Sequence, residues 1–340
     1  MNIRMIAEKC GCSTATVSKA LNGAEDVSRE TAERIRRVAD ELGYMPNAAA
    51  RSMRTSRSYC LGVLFQDAGT GGLGHGFFSG ILNGFRDRSA ELGYDIFFIS
   101  DRLGQRKLSC VEHARYRSCD GVFIPNDAYD SFDIQGLAAS DIPLVTVDYT
   151  FEGCGSVLSD NIKGMSDLVR YIYGMGHRRV AFIYGDDTAV TKARVLGFRR
   201  VCGELGLEIP EEYLVRGEYC RPAASEEATR RLLALKDRPT CIIYPDDIAY
   251  IGGRNEIYRQ GLRIPEDVSC AGYDGIDFSQ MLLPRLTTVK QNAALMGYSA
   301  ADELVRAVEL GGEYTPRQII IPGKVLPGET VARIAEDERA

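Results

Sequence analysis

One stretch near the N-terminus defines the first folding unit, and it reads Cys12-Ser13-Thr14-Ala15-Thr16-Val17-Ser18-Lys19-Ala20-Leu21-Asn22. Ser13 is a favourable N-cap, and Val17, Ala20 and Leu21 fall on one face of the helix that follows it. Small polar groups, one amide and one cation remain on the opposite face. A helix with such a face fits the major groove of DNA, where polar side chains contact base edges.

Two further helices flank this stretch. The first is predicted by apolar residues at i, i+3, i+4 and i+7, which are Ile3, Ile6, Ala7 and Cys10. Gly11 can adopt the positive φ that ends it. The next helix follows Ser28, and its inward positions are Ala32, Ile35, Val38, Ala39 and Leu42. A generic helical hairpin shares this spacing, but the three helices in order favour an all-α helix-turn-helix headpiece over residues 1–46.

A short segment with helical character follows the headpiece. Residues 47–54 offer a cap and a run of alanines, yet they fall short of the roughly 12–15 residues that make an isolated helix even marginal in water. We therefore predict a hinge helix and linker over residues 47–58 that forms only when something holds it. Arg51, Arg54 and Arg57 suit phosphates, and Met53 offers an apolar wedge for a minor-groove base step. A plain linker would be richer in Gly, Ser or Pro.

Charge divides the chain at the same place. The net charge is −6, which taken alone argues against a nucleic-acid partner. Residues 1–58 carry ten Lys and Arg against seven Asp and Glu, a charge of +3, and the remaining residues carry 31 against 40, a charge of −9. A basic head on an acidic body indicates two units with different partners.

The remaining sequence alternates between strand-like and helix-like runs. Candidate strands cover residues 59–65, 94–100, 121–124, 144–147, 180–184, 241–244, 268–272 and 317–321. Candidate helices cover residues 78–92, 163–173, 190–205, 224–235, 248–260 and 293–310. This alternation predicts an α/β body of two doubly wound parallel-sheet lobes over residues 59–328, with a C-terminal tail at 329–340. An eight-fold barrel fits less well, because the runs 268–272 and 286–289 have no helix between them and suit a crossover between lobes.

Polar and aromatic residues follow several of these strands, where ligands bind in open α/β sheets. They are Phe77, Phe78, Asp148, Asp160, Asn161, Asp186, Arg194, Asp246, Asp247 and Asp274. Asp160 and Asp247 are equally well explained as N-caps. Aromatic faces beside carboxylates, an amide and one arginine suit sugar hydroxyls or a small polar metabolite.

The N-terminal motifs resemble those of the lac-repressor family of bacterial transcription regulators. The resemblance covers residues 12–22, Val27-Ser28 and residues 41–53. It implies that Thr14 to Lys19 contact the major groove and that Met53 takes the place of a leucine inserted into the minor groove. The implied DNA-binding residues are Thr14, Ala15, Thr16, Ser18, Lys19, Asn22, Ala50, Met53 and Arg54. Cys12 replaces the family's usual valine, and Met5 a common acidic residue.

The body is similar to the effector domain of the same family, whose fold is shared with periplasmic sugar-binding proteins. The motifs are residues 159–164, 175–181, 193–198, 271–274 and 286–289. The resemblance implies that Arg194 and Asp274 hold an effector, that Phe77 or Phe78 packs on it and that Asp246 lines the opposite wall. Asp148 and Asp160 complete the predicted effector set. Asp246 replaces the usual asparagine, and His75-Gly76 the usual asparagine-proline.

Other classes of protein fit the sequence poorly. Residues 69–74 are rich in glycine but lack the Lys-Ser/Thr of a phosphate loop, and no Gly-x-Ser-x-Gly motif is present. The histidines, His75, His113 and His177, are far apart, and ten scattered cysteines suit buried packing. We expect no catalytic residues, metal or cofactor. A transport binding protein is disfavoured by the basic head and by the lack of a signal-peptide or membrane-length apolar run, so we expect a cytoplasmic location.

These observations predict a sequence-specific DNA-binding transcription regulator, a repressor rather than an enzyme. We expect a homodimer without membrane association, bound to a pseudo-palindromic double-stranded DNA operator. We expect a small-molecule effector, a sugar, between the two lobes. The alternatives are an activator, or a response to a nucleoside or another metabolite. The C-terminal residues show no leucine heptad, which favours a dimer over a tetramer.

Overall fold

The computed structural model describes residues 2–21, 24, 26–44, 52, 55, 57–65, 72–126 and 129–334. The chain divides into two compact units, Met1–Ser58 and Tyr59–Ala340. Most of the predicted hinge segment, including Ala50, Met53 and Arg54, lies outside the described residues, as does Asn22. No helix within the described ranges is both long and apolar enough to cross a membrane.

The first unit contains the three predicted helices. They are α1 (Ile3–Cys10), α2 (Thr14–Leu21) and α3 (Arg29–Glu41). Asn2, Ser13 and Ser28 each accept a hydrogen bond from the backbone N–H three residues later, so each helix begins at a side-chain cap. Gly11 ends α1 with a φ of 62°. The helix-turn-helix prediction is confirmed.

The apolar positions predicted from helical spacing form the core of this unit. Ile6, Val17 and Ile35 are fully buried at its centre, and Ala7, Cys10, Ala20, Ala32 and Ala39 surround them. The predicted inward residues Ile3, Leu21, Val38 and Leu42 are only partly buried. One shared core therefore fixes α2 against α1 and α3.

The second unit is an α/β body. Its strands are β1 (Cys60–Phe65), β2 (Asp95–Phe98), β3 (Arg102–Leu103), β4 (Arg106–Lys107), β5 (Gly121–Asn126), β6 (Leu144–Val147), β7 (Gly155–Ser159), β8 (Val180–Tyr184), β9 (Leu214–Arg216), β10 (Cys241–Ile243), β11 (Ser269–Ala271), β12 (Thr288–Lys290), β13 (Gln318–Ile321) and β14 (Lys324–Leu326). Its α-helices are α4 (Gly76–Glu91), α5 (Cys110–Tyr116), α6 (Phe132–Ala138), α7 (Asn161–Gly174), α8 (Ala189–Glu204), α9 (Pro222–Leu233), α10 (Ala249–Arg259), α11 (Asp277–Met281) and α12 (Ala293–Leu310).

Two parallel sheets build two lobes, as predicted. The N-terminal lobe has strand order β13-β7-β6-β5-β1-β2, and the C-terminal lobe has order β11-β10-β8-β9. Every strand pairing within these two sheets is parallel. The inner strands of both sheets are buried on both faces, with fully buried residues such as Leu61, Val63, Ile242 and Ile243. The edge strands β2, β9 and β13 are partly exposed.

The chain crosses between the lobes at three places within the described residues. It leaves the N-terminal lobe after β7 to form α7, which packs on α8, and it returns through β12 to α12, which packs on α4. After β13 it crosses again as β14, which pairs with β12 in an antiparallel manner. The α7 helix packs against both β12 and β14. The crossover predicted from residues 286–289 is therefore found at β12. The expectation that no helix separates this run from residues 268–272 is wrong, because α11 lies between them.

Several short elements were not predicted from the sequence. Helices α5 and α6 have seven residues each, and β9 has three, so they are too short to show a clear period. The structure also differs from the predicted C-terminal tail at 329–340, over the residues of that tail that it describes. Thr330 is fully buried and Val331 joins the core. His177 Nε2 donates a hydrogen bond to the Ala332 carbonyl, and His177 Nδ1 shares one with the Thr240 hydroxyl. The C-terminal lobe thus extends at least to Ile334.

Candidate functional site

A cavity of about 380 Å³ lies between the two lobes, at the carboxyl ends of their strands. Six of the seven predicted effector residues line it: Phe77, Phe78, Asp148, Arg194, Asp246 and Asp274. Asp160 is absent from its lining, because its carboxylate caps α7 by accepting a hydrogen bond from the Lys163 N–H (3.1 Å). The N-cap interpretation of Asp160 accounts for its position.

Arg194 is held rigidly on the C-terminal side of the cavity. It is 3% exposed, and its guanidinium lies over the ring of Tyr273 at 3.6 Å from the centroid. Nε donates to Asn161 Oδ1 (2.8 Å) and one terminal nitrogen donates to the Pro245 carbonyl (2.8 Å). The second terminal nitrogen lies 3.8 Å from Asp274 Oδ1, too far for a hydrogen bond. One buried nitrogen of Arg194 is thus left as a donor for a ligand.

Asp274 is the partner that faces this donor. Its Oδ1 accepts from Gln291 (2.7 Å), whereas its Oδ2 has no hydrogen-bond partner within the part of the chain that the structure describes. Its backbone adopts a φ of 104°, a conformation that L-residues rarely take and that clusters at functional sites. Burial raises the pKa of Asp274 to about 6, and Arg194 and Gln291 oppose the rise.

His75 reaches this group from the N-terminal lobe and was not among the predicted contacts. Its Nδ1 accepts from the Phe77 N–H at the start of α4 (3.3 Å), so the neutral ring carries its hydrogen on Nε2. Nε2 lies 3.9 Å from Asp274 Oδ2. Burial lowers the pKa of His75, which keeps the ring neutral. His75 was visible in the sequence as an unusual residue, but the direction of its side chain was not.

Asp246 and Asp247 are buried carboxyls with different roles. Asp246 lines the cavity, where it accepts from the N–H groups of Ile248, Ala249 and Cys220 at 2.7–2.8 Å. Asp247 lies behind the cavity and joins the Thr288 hydroxyl (2.6 Å) to the Ile276 N–H (2.9 Å). Burial and the charge of Asp274 raise the pKa of Asp246 to about 6 and that of Asp247 to about 8.

Asp148 lines the cavity but has most of its acceptors occupied. Its Oδ1 accepts from the Ser159 N–H (2.6 Å) and its Oδ2 from the Ser159 hydroxyl (3.0 Å). It has a φ of 53°, so it turns the chain sharply after β6. Burial raises the pKa of Asp148, and the Ser159 hydrogen bonds oppose that rise. Each carboxylate oxygen of Asp148 thus already accepts one hydrogen bond from within the N-terminal lobe.

Aromatic side chains cover the N-terminal wall. Phe77 is buried and Phe78 is half-buried, with their ring centroids 5.3 Å apart. Tyr129 and Tyr149 also line the cavity, and Tyr219 lines the C-terminal side. These three tyrosines were not predicted from the sequence. Tyr149 nevertheless comes two residues after the end of β6, the position at which ligand contacts are expected.

The outward face of α2 is the candidate DNA-contact surface. Thr14, Ala15 and Lys19 are exposed, and Thr16 and Ser18 are half-buried. Thr16 exchanges a hydrogen bond with the Ser13 hydroxyl (2.9 Å), and Lys19 forms an ion pair with Asp26. An exposed ion pair contributes little free energy, so Lys19 can exchange Asp26 for a phosphate. Among the flanking arginines, Arg36 donates to the Ala20 carbonyl at the end of α2 (3.5 Å).

The described ranges contain no cluster of three or more His, Cys, Asp or Glu arranged to hold a metal ion. The cysteines among them are all free thiols.

Both units match known families. Residues 2–47 match the bacterial regulatory proteins of the lacI family, and residues 169–331 match a periplasmic binding protein-like domain. The chain is 30% identical over 313 residues to the probable HTH-type transcriptional repressor ExuR of Bacillus subtilis (strain 168), covering 91% of this chain and 92% of that protein. It is 29% identical to the HTH-type transcriptional repressor CytR of Escherichia coli (strain K12), covering 87% and 86%. These relatives are repressors, not enzymes.

Solved structures show the same architecture. A complex of the transcriptional regulator CelR with cellobiose superposes with a TM-score of 0.70 at 26% identity, over 97% of this chain and 99% of that one. A lac repressor dimer bound to operator and the anti-inducer ONPF superposes with a TM-score of 0.75 at 23% identity, over 98% and 99%. The headpiece and the two-lobed body are therefore both shared along their whole length.

Proposed function

Because the chain belongs to the lacI family of bacterial regulatory proteins and is a DNA-binding transcriptional repressor with an effector-binding domain, we propose that a neutral sugar in the cavity controls its operator affinity. Asp274 carries this proposal. It stands between two buried donors, Arg194 at 3.8 Å and His75 at 3.9 Å, and bonds to neither. Two adjacent hydroxyls can each donate to the carboxylate and accept from one of these donors.

The charges around the cavity support a ligand without negative charge. Five carboxyl side chains line it, those of Asp148, Asp186, Glu218, Asp246 and Asp274, against the two guanidinium groups of Arg194 and Arg221. Arg221 is also paired with Glu218 (3.1 Å). A carboxylate or phosphate on the effector would face the buried carboxyl groups of Asp246 and Asp274. One free donor nitrogen does not offset the free energy of repulsion between these like charges.

Operator binding is assigned to α2 and the hinge segment. We propose base contacts from Thr14, Ala15, Thr16, Ser18, Lys19 and Asn22, and minor-groove contacts from Ala50, Met53 and Arg54. The helix-turn-helix fold and the exposed face of α2 support the first set. The second set rests on the resemblance of residues 41–53 to the family's hinge.

A homodimer is the state we propose on DNA, since two recognition helices match a pseudo-palindromic operator. The relative solved on its operator is a dimer. In the C-terminal lobe, Phe278, Met281 and Leu283 are 47%, 77% and 79% exposed on and just after α11. Neighbouring exposed apolar side chains mark an interaction surface, so we assign this patch to the dimer contact.

Effector binding acts through the relative orientation of the lobes. A ligand that bonds to His75 and Asp274 together favours the closed cleft, because His75 belongs to the N-terminal lobe and Asp274 to the C-terminal lobe. Closure changes the spacing of the two hinge segments in a dimer, and that spacing decides whether they pair on DNA. Operator-binding measurements with and without ligand tell whether the effector raises or lowers operator affinity.

The test combines ligand binding with operator binding. Operator duplexes are selected from a random pool with the purified full chain, and affinity is read by fluorescence anisotropy. D-ribose, D-glucose, D-galactose, cellobiose and cytidine are then compared with D-glucuronate and glucose 6-phosphate for thermal stabilisation and for altered operator affinity. We expect at least one neutral compound to do both and neither anion to do so. Stabilisation by an anion, or by no compound, would overturn the effector assignment.

A further inference from the structure

One wall of the cavity carries a stacked pair of tyrosines that the proposed sugar contacts do not use. Tyr129 and Tyr149 lie with ring centroids 4.4 Å apart and planes within 12° of parallel. Phe151 packs on Tyr149 at 4.8 Å and on Tyr129 at 6.1 Å. Tyr129 and Phe151 pack on the apolar core of the N-terminal lobe, Tyr149 is half-buried, and both tyrosines line the cavity.

Several hydrogen bonds fix the position of Tyr149. The preceding residue, Asp148, makes the sharp turn with φ of 53° and is held by Ser159. The Thr146 hydroxyl donates to the Tyr149 carbonyl (2.5 Å), and the Tyr129 hydroxyl donates to the Val147 carbonyl (2.8 Å). The ring is therefore positioned before a ligand arrives, which lowers the entropy lost on binding.

Burial separates two ends of the cavity. Arg194, Asp246 and His75 at the inner end are 3% or less exposed. At the outer end, the side chains of Glu218 and Arg221 are 45% and 58% exposed. The Tyr149 hydroxyl has no hydrogen bond to any residue that the structure describes. Besides its buried charged groups, the cavity thus offers the Tyr149 ring, the Tyr149 hydroxyl and an exposed ion pair.

The volume accommodates two joined rings. At about 30 Å³ for each water, 380 Å³ corresponds to about a dozen waters, roughly the volume of two joined hexose rings. A second ring joined to the one at Asp274 therefore fits inside the cavity, whose wall includes Tyr149. Aromatic faces bind the C–H face of a sugar or stack with a planar base.

We propose that Tyr149, stacked on Tyr129, forms a second subsite that binds the outer ring of a two-ring effector. The shared chemistry is a flat ring joined to the hydroxylated ring held by Arg194 and Asp274, either the second sugar of a disaccharide or the base of a nucleoside. This subsite rests on the proposed function, because the inner ring has to occupy the Asp274 end.

The test compares one-ring and two-ring ligands of the same chemistry. Dissociation constants are measured by calorimetry on the full chain for cellobiose against D-glucose and for cytidine against D-ribose. In the wild-type protein we expect the two-ring member of one pair to bind about tenfold more tightly than its one-ring counterpart. The pair that shows this preference identifies the outer ring as sugar or base.

Three variants assign the preference to the Tyr149 ring. Tyr149→Ala should reduce the ratio of the two dissociation constants to less than about threefold, as expected for one lost ring contact. Tyr149→Phe keeps the ring and should keep the ratio. Phe132→Ala, at a side chain that is 94% exposed and does not line the cavity, controls for general effects of removing an aromatic residue. Circular dichroism melting confirms that each variant folds.

The outcomes separate this inference from the proposed function. Equal affinity for the one-ring and two-ring compounds overturns the subsite and leaves the sugar-binding cleft intact. An unchanged ratio in Tyr149→Ala, or a lost ratio in Tyr149→Phe, also overturns the role of the ring. Binding of none of the four compounds overturns the subsite, and it overturns the proposed function too when D-galactose also fails to stabilise the protein.

Discussion

The two walls of the cavity are built by different interactions. On the C-terminal wall, Arg194, Asp246 and Asp274 are buried charged groups held by hydrogen bonds to neighbouring side chains and backbone. On the N-terminal wall, Phe77, Phe78 and Tyr149 are held by ring packing and by the shape of the backbone. Hydrogen bonds are more strongly directional than ring contacts, so we expect the first wall to select the pattern of hydroxyls on a ligand and the second to supply contact area.

The largest effect is expected from the charged wall. Arg194→Ala removes the donor nitrogen beside Asp274 and leaves Asn161 Oδ1, the Pro245 carbonyl and a buried carboxylate without their partner. We expect effector affinity to fall by more than about 100-fold and the free energy of unfolding by about 3 kcal/mol. Calorimetry and denaturant unfolding measure the two quantities.

The matched control for Arg194→Ala is Arg200→Ala on the same helix. Arg200 is exposed and paired only with Glu204 across one turn, so its removal should change neither effector affinity nor stability by more than about 0.5 kcal/mol. An Arg194→Ala protein that still responds at wild-type ligand concentration would place the effector elsewhere.

The charged wall should also make binding depend on pH. Burial raises the pKa of Asp246 and of Asp274 to about 6. We expect their ionised forms to accept hydrogen bonds from the hydroxyls of the proposed effector. Effector affinity should therefore fall below pH 6, by up to about tenfold per pH unit for each proton that has to leave. Affinity measured between pH 5 and pH 8 tests this; a flat profile would mean that neither carboxylate accepts from the ligand.

The stability of the free protein should have the opposite pH dependence. Both carboxyls have a folded pKa above the unfolded value of 3.8, so the folded state binds protons more strongly. Their contribution to stability is complete below about pH 4 and is lost as the pH rises through 6. Asp246→Asn should remove its share of this slope, which urea unfolding at several pH values measures.

A smaller effect is expected from the backbone turn that supports the aromatic wall. Ser159→Ala removes the hydroxyl bond to Asp148 but keeps the backbone N–H bond. We expect a loss of about 1–2 kcal/mol in unfolding free energy and a few-fold weaker binding of two-ring ligands. Ser159→Thr retains the hydroxyl and serves as its control. Full effector affinity in Ser159→Ala would show that Tyr149 does not depend on this turn.

The smallest effect on the ligand is expected from Asp160, which belongs to neither wall. Asp160→Ala removes the cap of α7 and should cost about 1 kcal/mol of stability. Effector affinity of Asp160→Ala should stay within twofold of wild type. Asp160→Asn keeps a capping oxygen, so it should have both the effector affinity and the stability of the wild type. A large loss of effector affinity in Asp160→Ala would return this residue to the binding set.

The elements with a local sequence pattern could be predicted from the sequence. Helical spacing placed Ile6, Val17 and Ile35 in one core, and alternating strands and helices indicated two lobes. The positions of Arg194 and Asp274 followed from family resemblance. Tyr149 was not found, because its place depends on the turn at Asp148 and on Ser159, eleven residues later. His75 was noticed as unusual, but only the folded chain brings it near Asp274.

The crossings between the lobes also limit the motion available to the protein. The crossing at β12 pairs with the one at β14, and α7, which starts the other, packs on both. Three connected segments side by side restrict sliding and twisting of the lobes, which favours a hinge rotation between them. We expect the proposed effector to act through the angle of this rotation. Two spin labels, one on each lobe, would report it as a single distance that shifts between two values.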